Sequence, residues 1–231
     1  MEWLTTPLSG SADHGIASWA FWHARGMVLA WAVLLPLGAL VARFFKVLPS
    51  QDWPRRLDHP AWWHAHRALQ WAGVGFMALG LWQVWGHASG VGPLARWHAA
   101  LGWAVCALGA LQIVGGLARG SKGGPTAVQM RGDHYDMTPW RCHFERMHKS
   151  LGWLAVLMAV AVTALGLVLA DAPRWMPLAL ALWWLALAVA FTRLQRAGRC
   201  LDTYQAIWGP DPQHPGNRLR PIGWGVRRPL G

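Results

Sequence analysis

The sequence predicts an all-α integral membrane protein with five transmembrane helices. Three observations carry that prediction. Of 231 residues, 54% are hydrophobic and only 13% charged, whereas a soluble domain carries about 25% charged residues. Apolar runs of about 20 residues, long enough to cross a hydrocarbon core, recur along the chain. Lys and Arg are concentrated in alternate connections between those runs, the asymmetry that orients membrane proteins.

The runs lie near 20–42, 62–86, 95–118, 148–170 and 175–192. The fifth is short and starts close to Pro173 and Pro177. Several of the 19 tryptophans stand near run ends, among them Trp22, Trp62, Trp63, Trp85, Trp97 and Trp175. The amphipathic indole prefers the headgroup zone. Residues 47–60, with their prolines, Asp52 and Asp58, form one connection; GHASGVGP at 86–93 forms a short turn; 119–139 form a longer polar connection. From about 201 the chain is rich in Pro and Gly, so long regular structure is not expected there. The expected organisation is a short outer segment (1–19), a transmembrane domain (20–192) and a basic cytoplasmic tail (193–231).

Charge fixes the expected direction. Segments 43–67 and 119–149 and the tail hold eighteen of the 21 Lys and Arg. Only Arg25, Arg96 and Arg174 fall on the other side. The positive-inside rule puts the N-terminus outside and the C-terminus in the cytoplasm. It also accounts for the net charge of +11 without a nucleic-acid partner, and no zinc or helix-turn-helix pattern argues for one. Cys106, Cys142 and Cys200 are odd in number and widely spaced, which is no disulfide framework. No C-x-x-C-H motif attaches a c-type haem, and no apolar signal sequence opens the chain.

Four of the eleven histidines stand near the N-terminal ends of the first four runs: His23, His66, His98 and His148. Consecutive spans run in opposite directions, so His23 can face His98 near the outer surface and His66 can face His148 near the inner one. Ionisable groups inside spans are functional by default. Two imidazoles fill both axial positions of a haem iron, which favours electron transfer over oxygen binding, and a four-helix bundle can hold facing ligands in its core. A flat macrocycle also needs room. Position i+4 shares a face with i; it is Gly102 after His98, Gly152 after His148 and Gln70 after His66, while Gly26 follows His23 at i+3. The competing readings are interfacial histidines and helix packing through glycine. His64 competes with His66, although the Gln70 and Gly73 spacing favours His66. His14, His59, His87, His134, His143 and His214 read as solvated or interfacial.

HARGMVLAWAVLLPLGALVARFFK (23–46) resembles the first core helix of the cytochrome b561 and ferric-reductase transmembrane family. HRALQ (66–70), HAALGWAVCALGALQ (98–112) and HKSLGW (148–153) resemble its next three helices, and TYQAIWGPDPQHPGN (203–217) resembles the ending of bacterial members. The resemblance covers roughly 20–192. It implies a four-helix core enclosing two non-covalent b haems (heme b), ligated by His23 with His98 and His66 with His148, and a bacterial inner-membrane location. It further implies single-electron transfer between an inner donor, such as quinol or an ascorbate-like reductant, and an outer acceptor. The first helix departs from the common His-Gly, reading His23-Ala24. With about 20 residues ahead of the first span, the extracellular DOMON domain of many relatives is expected to be absent, leaving its role to an outer redox partner. RGDHYDMTPWRCHFER (131–146) is not the ascorbate-branch sequence.

The expected function is a diheme electron conduit in membrane lipid, which needs no general acid, base or nucleophile of its own. The alternative is the cytochrome b subunit of a quinone-linked oxidoreductase, with Asp133, His134, Tyr135 and Asp136 near the quinone. A haem-free transporter is the third class, but no inverted repeat marks a substrate path. Arginine suits haem propionates through planar paired hydrogen bonds, which makes Arg25 and Arg96 candidates at the outer pair. Arg43, Lys46, Arg67, Arg146 and Lys149 are expected to form a basic inner surface for propionates or an anionic donor.

Overall fold

A computed structural model describes residues 2–11, 15–87, 92–124 and 127–228. The described residues are helical, with no strand beyond two isolated bridges. His14 and residues 88–91 of the 86–93 turn lie outside them. A four-residue helix, α1 (Glu2–Thr5), precedes the long helices. These are α2 (Ser18–Phe44), α3 (Ala61–Val84), α4 (Pro93–Leu117), α6 (Pro139–Leu169) and α7 (Trp175–Arg196). Short helices α5 (Asp133–Asp136) and α8 (Thr203–Trp208) and a 3-10 turn (Pro215–Arg218) complete the set among the described residues. Four of the helices, α2, α4, α6 and α7, are long and apolar enough to cross a membrane. At 24 residues α3 has the length, but His64, His66, Arg67 and Gln70 dilute its apolar character.

The helix expected to begin near 148 begins at Pro139. Proline suits a first turn because the missing N–H has no intrahelical acceptor there. The polar lead-in RCHFERMH is therefore helical, and His148 sits well inside α6.

The chain divides into two compact units. The first comprises Met1–Leu37, Ala68–Gly109 and Leu154–Ala190. Its core is Ala30, Trp31, Leu35, Met77, Val105, Cys106, Ala155 and Ala159. Small residues let the helices approach: a Cβ on Gly109 would lie 3.2 Å from the Trp31 ring, and one on Gly26 would lie 3.0 Å from the Phe76 carbonyl oxygen. Within α2, Val28–Leu34 widens into a π-helix, with the Leu35 N–H reaching back to the Ala30 carbonyl. Pro36 gives the physical reason. It has no N–H for the Ala32 carbonyl four residues earlier, and its ring crowds that carbonyl. The Trp183 indole N–H donates to Ala32 O instead, at 2.7 Å. At the N-terminus, Ser9 N–H and Oγ–H donate to the two Asp171 carboxylate oxygens at 2.7 and 2.6 Å, fastening the segment to the turn between α6 and α7.

The second unit comprises Gly38–Arg67, Ala110–Trp153 and Phe191–Gly231. Its core is Met137, Tyr204, Ile207, Trp208 and Ile222, with Trp62, Tyr135 and Cys142 packed against it. Trp62 is thus a packing residue, whereas Trp22, Trp85, Trp97 and Trp175 are exposed. The tail lacks long elements, yet it is not loose: every residue of α8 is buried. The Tyr204 hydroxyl donates to Tyr135 O at 2.7 Å. Arg228 donates to Asp202 Oδ2 at 2.6 Å and to the Gly216 and Asn217 carbonyls at 3.0 Å each.

Candidate functional site

His23 projects from the first turns of α2 and His98 from the first turns of α4, both within the first unit. Their ring centres are 6.2 Å apart and their planes cross at 82°. An imidazole nitrogen ligates a metal at about 2 Å, so two imidazoles on opposite sides of one ion need roughly 6 Å between ring centres. The pair meets that spacing. Among the described residues no group of three or more His, Cys, Asp or Glu side chains gathers as a metal site, so a two-histidine arrangement is the ligand set on offer.

The second ring nitrogen of each is held. His23 Nδ1 lies 3.0 Å from Gly80 O, and His98 Nδ1 lies 3.1 Å from Val162 O. A carbonyl only accepts, so Nδ1 carries the proton and Nε2 keeps its lone pair for a ligand role. Metal-binding histidines are commonly fixed this way. Glycine shapes the pocket for one ring: a Cβ on Gly166 would lie 3.0 Å from His98 Cε1. By contrast, a Cβ on Gly102 would meet nothing closer than Val162 Cγ1 at 3.9 Å, so room exists beside His98 on its own helix.

His66 and His148 both belong to the second unit and lie within electrostatic reach of each other. His66 Nδ1 is 2.9 Å from Gly38 O, while the competing His64 is exposed. His148 Nδ1 is buried and has no hydrogen-bond partner among the described residues. The rings pack on aromatic neighbours, His66 at 6.1 Å from Trp63 and His148 at 5.1 Å from Phe144. A Cβ on Gly152 would lie 3.4 Å from Gln112 Oε1. Gln70, in the first unit, donates to Leu35 O at 3.1 Å.

The basic candidates differ in their commitments. Arg25 and Arg96 are exposed, and the Arg25 guanidinium lies over the Phe21 ring at 3.2 Å. Arg67 is exposed beside Trp63, which also carries Arg119 at 4.1 Å. Lys149 donates to Glu145 Oε2 at 2.7 Å and to Ile222 O at 2.9 Å. Lys46 is no surface cation: it is 7% exposed and donates to Arg43 O at 3.2 Å and Leu201 O at 3.1 Å. Burial without a carboxylate in contact brings its ammonium down to about 8.

His134 is also not solvated. It is 4% exposed, with its ring 5.9 Å from those of both Tyr204 and Trp208. Its Nε2 faces Glu145 Oε1 at 3.7 Å, and Arg141 Nε holds that same oxygen at 3.2 Å. Burial, then the Arg141 charge, hold the imidazole down to about 3, so it is neutral near pH 7. Its polar neighbours in sequence concealed this burial, which α8 supplies from seventy residues away. His143 and His87 are exposed as expected, His87 stacked on Trp19 at 4.8 Å; His59 and His214 are half-buried.

Comparison with known proteins adds one relationship. The chain is 30% identical over 145 residues, 63% of its length, to human ferric-chelate reductase 1, of which the matched stretch covers 22%. The chain therefore spans less than a quarter of that relative. No family model matches it, and no solved structure gives a significant match.

Proposed function

We propose that the chain is a diheme b-type cytochrome that carries electrons across a membrane from an inner donor to an outer acceptor. The facing of His23 and His98 at 6.2 Å, with both Nδ1 atoms on carbonyls, carries the reading. The likeness to a protein named as a ferric-chelate reductase supports it from a separate direction. Haem bound at such a site supplies one-electron transfer through its iron. The chain's part is to hold and tune it. His23 and His98 form one ligand pair and His66 and His148 the other. Gly80 O, Val162 O and Gly38 O orient three of the four rings. Gly102 and Gly152 leave space beside the ligands, and Gln70 braces the α2 backbone. Arg25 and Arg96 serve the propionates of the outer pair; Arg67 and Lys149 serve those of the inner pair.

In this reading α3 crosses the bilayer as the fifth span, residues 20–192 form the electron-transfer domain, and 193–231 lie on the cytoplasmic side of a bacterial inner membrane. The outer acceptor is a ferric chelate or a redox protein, and the inner donor is a quinol or an ascorbate-like reductant. Dithionite-reduced-minus-oxidised spectra with a haem-to-protein ratio test the core of the proposal. About two low-spin haems per chain are expected. Colourless protein, or one haem per chain, sinks it. Reduction by ascorbate, menaquinol and ubiquinol then identifies the donor.

A further inference from the structure

Among the described residues, three of the four candidate ligands have an Nδ1 acceptor, and the fourth does not. His23, His66 and His98 place Nδ1 at 3.0, 2.9 and 3.1 Å from the carbonyls of Gly80, Gly38 and Val162. His148 Nδ1 is buried and has no hydrogen-bond partner among the described residues. Its neighbour on the preceding turn is Phe144, whose ring is tilted 32° to the imidazole at 5.1 Å between centres and supplies no oxygen. The difference is chemical. An imidazole whose N–H donates to an acceptor gains negative character, binds metal more tightly through Nε2, and favours the ferric state. Without that partner the imidazole is the poorer donor, and its orientation is set by packing alone. Loss of such a partner typically weakens metal binding 10–100-fold.

We infer that His148 is the weak axial ligand of the chain, so that the His66/His148 haem has the higher reduction potential and yields its axial bond first. The inference rests on the diheme reading. Charge in the second unit acts in the same direction: Arg141 and Lys149 share a single carboxylate, Glu145, and Lys46 is buried without one. An excess of positive charge favours the ferrous state.

The test uses the full chain in detergent. Redox titration of the wild type, His23→Ala and His148→Ala assigns each spectral component to its pair. The higher potential should belong to the component that His148→Ala alters. Carbon monoxide binding to the dithionite-reduced wild type gives a second readout. There the iron–Nε2 bond would break as the iron–carbon bond forms, with His148 as the displaced ligand. This exchange should be about tenfold or more faster at the His66/His148 haem. Phe144→Gln separates the ligand effect from the surrounding charge. Its amide oxygen can serve as the missing acceptor, so it should lower that haem's potential and slow the exchange, while Phe144→Leu should do neither. A lower potential at the His148 component, or equal exchange at both haems, overturns the inference. Protein without haem overturns the diheme reading itself.

Discussion

His23 and His98 lie more than seventy residues apart in the chain, yet their imidazole planes stand at 82° with ring centres 6.2 Å apart. Each is braced from behind by a backbone carbonyl of a further helix, Gly80 O for His23 and Val162 O for His98. Four helices therefore converge on one pair of rings. Such bracing is what a preorganised ligand pair requires, because the tautomer and the ring angle are set before a metal arrives.

The pairing predicts a sorting of mutants. His23→Ala and His98→Ala should remove or convert to high spin the same spectral component, since each takes one axial bond and leaves its partner. His66→Ala and His148→Ala should affect the other component. Potentiometric titration of each variant is the measurement. Loss of one common component in His23→Ala and His66→Ala would mean that the helices are paired wrongly.

Glycine near the rings predicts a contrast between two equally small substitutions. Gly166→Ala places a methyl 3.0 Å from His98 Cε1, so the ring must shift. Gly102→Ala meets only Val162 Cγ1 at 3.9 Å, an ordinary contact. Gly166→Ala should alter the electron paramagnetic resonance signal of the His23/His98 haem, and Gly102→Ala should change it far less. Equal effects would place the haem elsewhere than beside His98.

The long helices were readable because lipid imposes one requirement everywhere, about 20 apolar residues per crossing. The ligand candidates were readable because histidine is conspicuous in such runs. What held them was not: Gly80, Val162 and Gly38 contribute backbone carbonyls, which every residue has, and only packing selects these three. Gly166 carries no motif relative to His98. His134 reads as solvated because local polarity surrounds it, and Lys46 reads as a surface cation because it shares a basic segment with Arg43 and Arg67, while their burial is created by α8 and the Leu201 carbonyl, far along the chain. The run at 20–42 reads as one uninterrupted span, and neither the π-helical stretch before Pro36 nor the Trp183 bond to the Ala32 carbonyl is legible in it.

The packed tail yields a stability prediction. Asp202 is almost wholly buried and its carboxylate is held by Arg228, itself mostly covered. Removing the cation strands a buried charge, a loss of about 3–5 kcal/mol. Arg228→Ala should therefore free residues 203–228 for limited proteolysis under conditions where the wild-type tail resists. Asp202→Asn with Arg228→Gln should recover much of the protection, since both charges are then gone. Undiminished protection in Arg228→Ala would show that α8 packing alone holds the tail.

His134 gives a pH dependence whose sign is fixed. Arg141, Glu145 and Lys149 from α6 and Arg119 from the connection before α5 act on the ring, beside Tyr204 and Trp208 from α8. The folded protein keeps the imidazole neutral down to about 3, while the unfolded chain protonates it near the ordinary 6.5. Unfolding thus takes up a proton between those limits, and stability is lost as pH falls through 6.5 toward 3. By about pH 4.5 the loss from this residue is on the order of 2–3 kcal/mol. Thermal unfolding in detergent should show a shallower acid decline for His134→Gln than for the wild type. Parallel declines would mean that the imidazole is hydrated in the folded state.

Arg96 supplies the last test. It is exposed, two residues before His98, and no ion pair among the described residues engages it. Arg25 is two residues after His23 but already lies over the Phe21 ring at 3.2 Å, a cation–π contact that occupies one face of its guanidinium. Of the two, Arg96 is the freer to reach a propionate of a haem at the proposed His23/His98 site. Positive charge near a haem favours the reduced iron, which carries one less positive charge. Arg96→Gln should therefore lower the potential of the component assigned to His23 and His98. Arg96→Lys should keep most of the potential but loosen haem retention, since the ammonium lacks the planar fork. Arg174→Gln is the control, because that guanidinium sits 5.0 Å from the Trp3 ring and its backbone N–H is bonded to Thr6 O. Redox titration of all three variants, in detergent and in bilayers, separates the roles. Equal and negligible shifts in Arg96→Gln and Arg174→Gln would make Arg96 a headgroup-seeking side chain and nothing more.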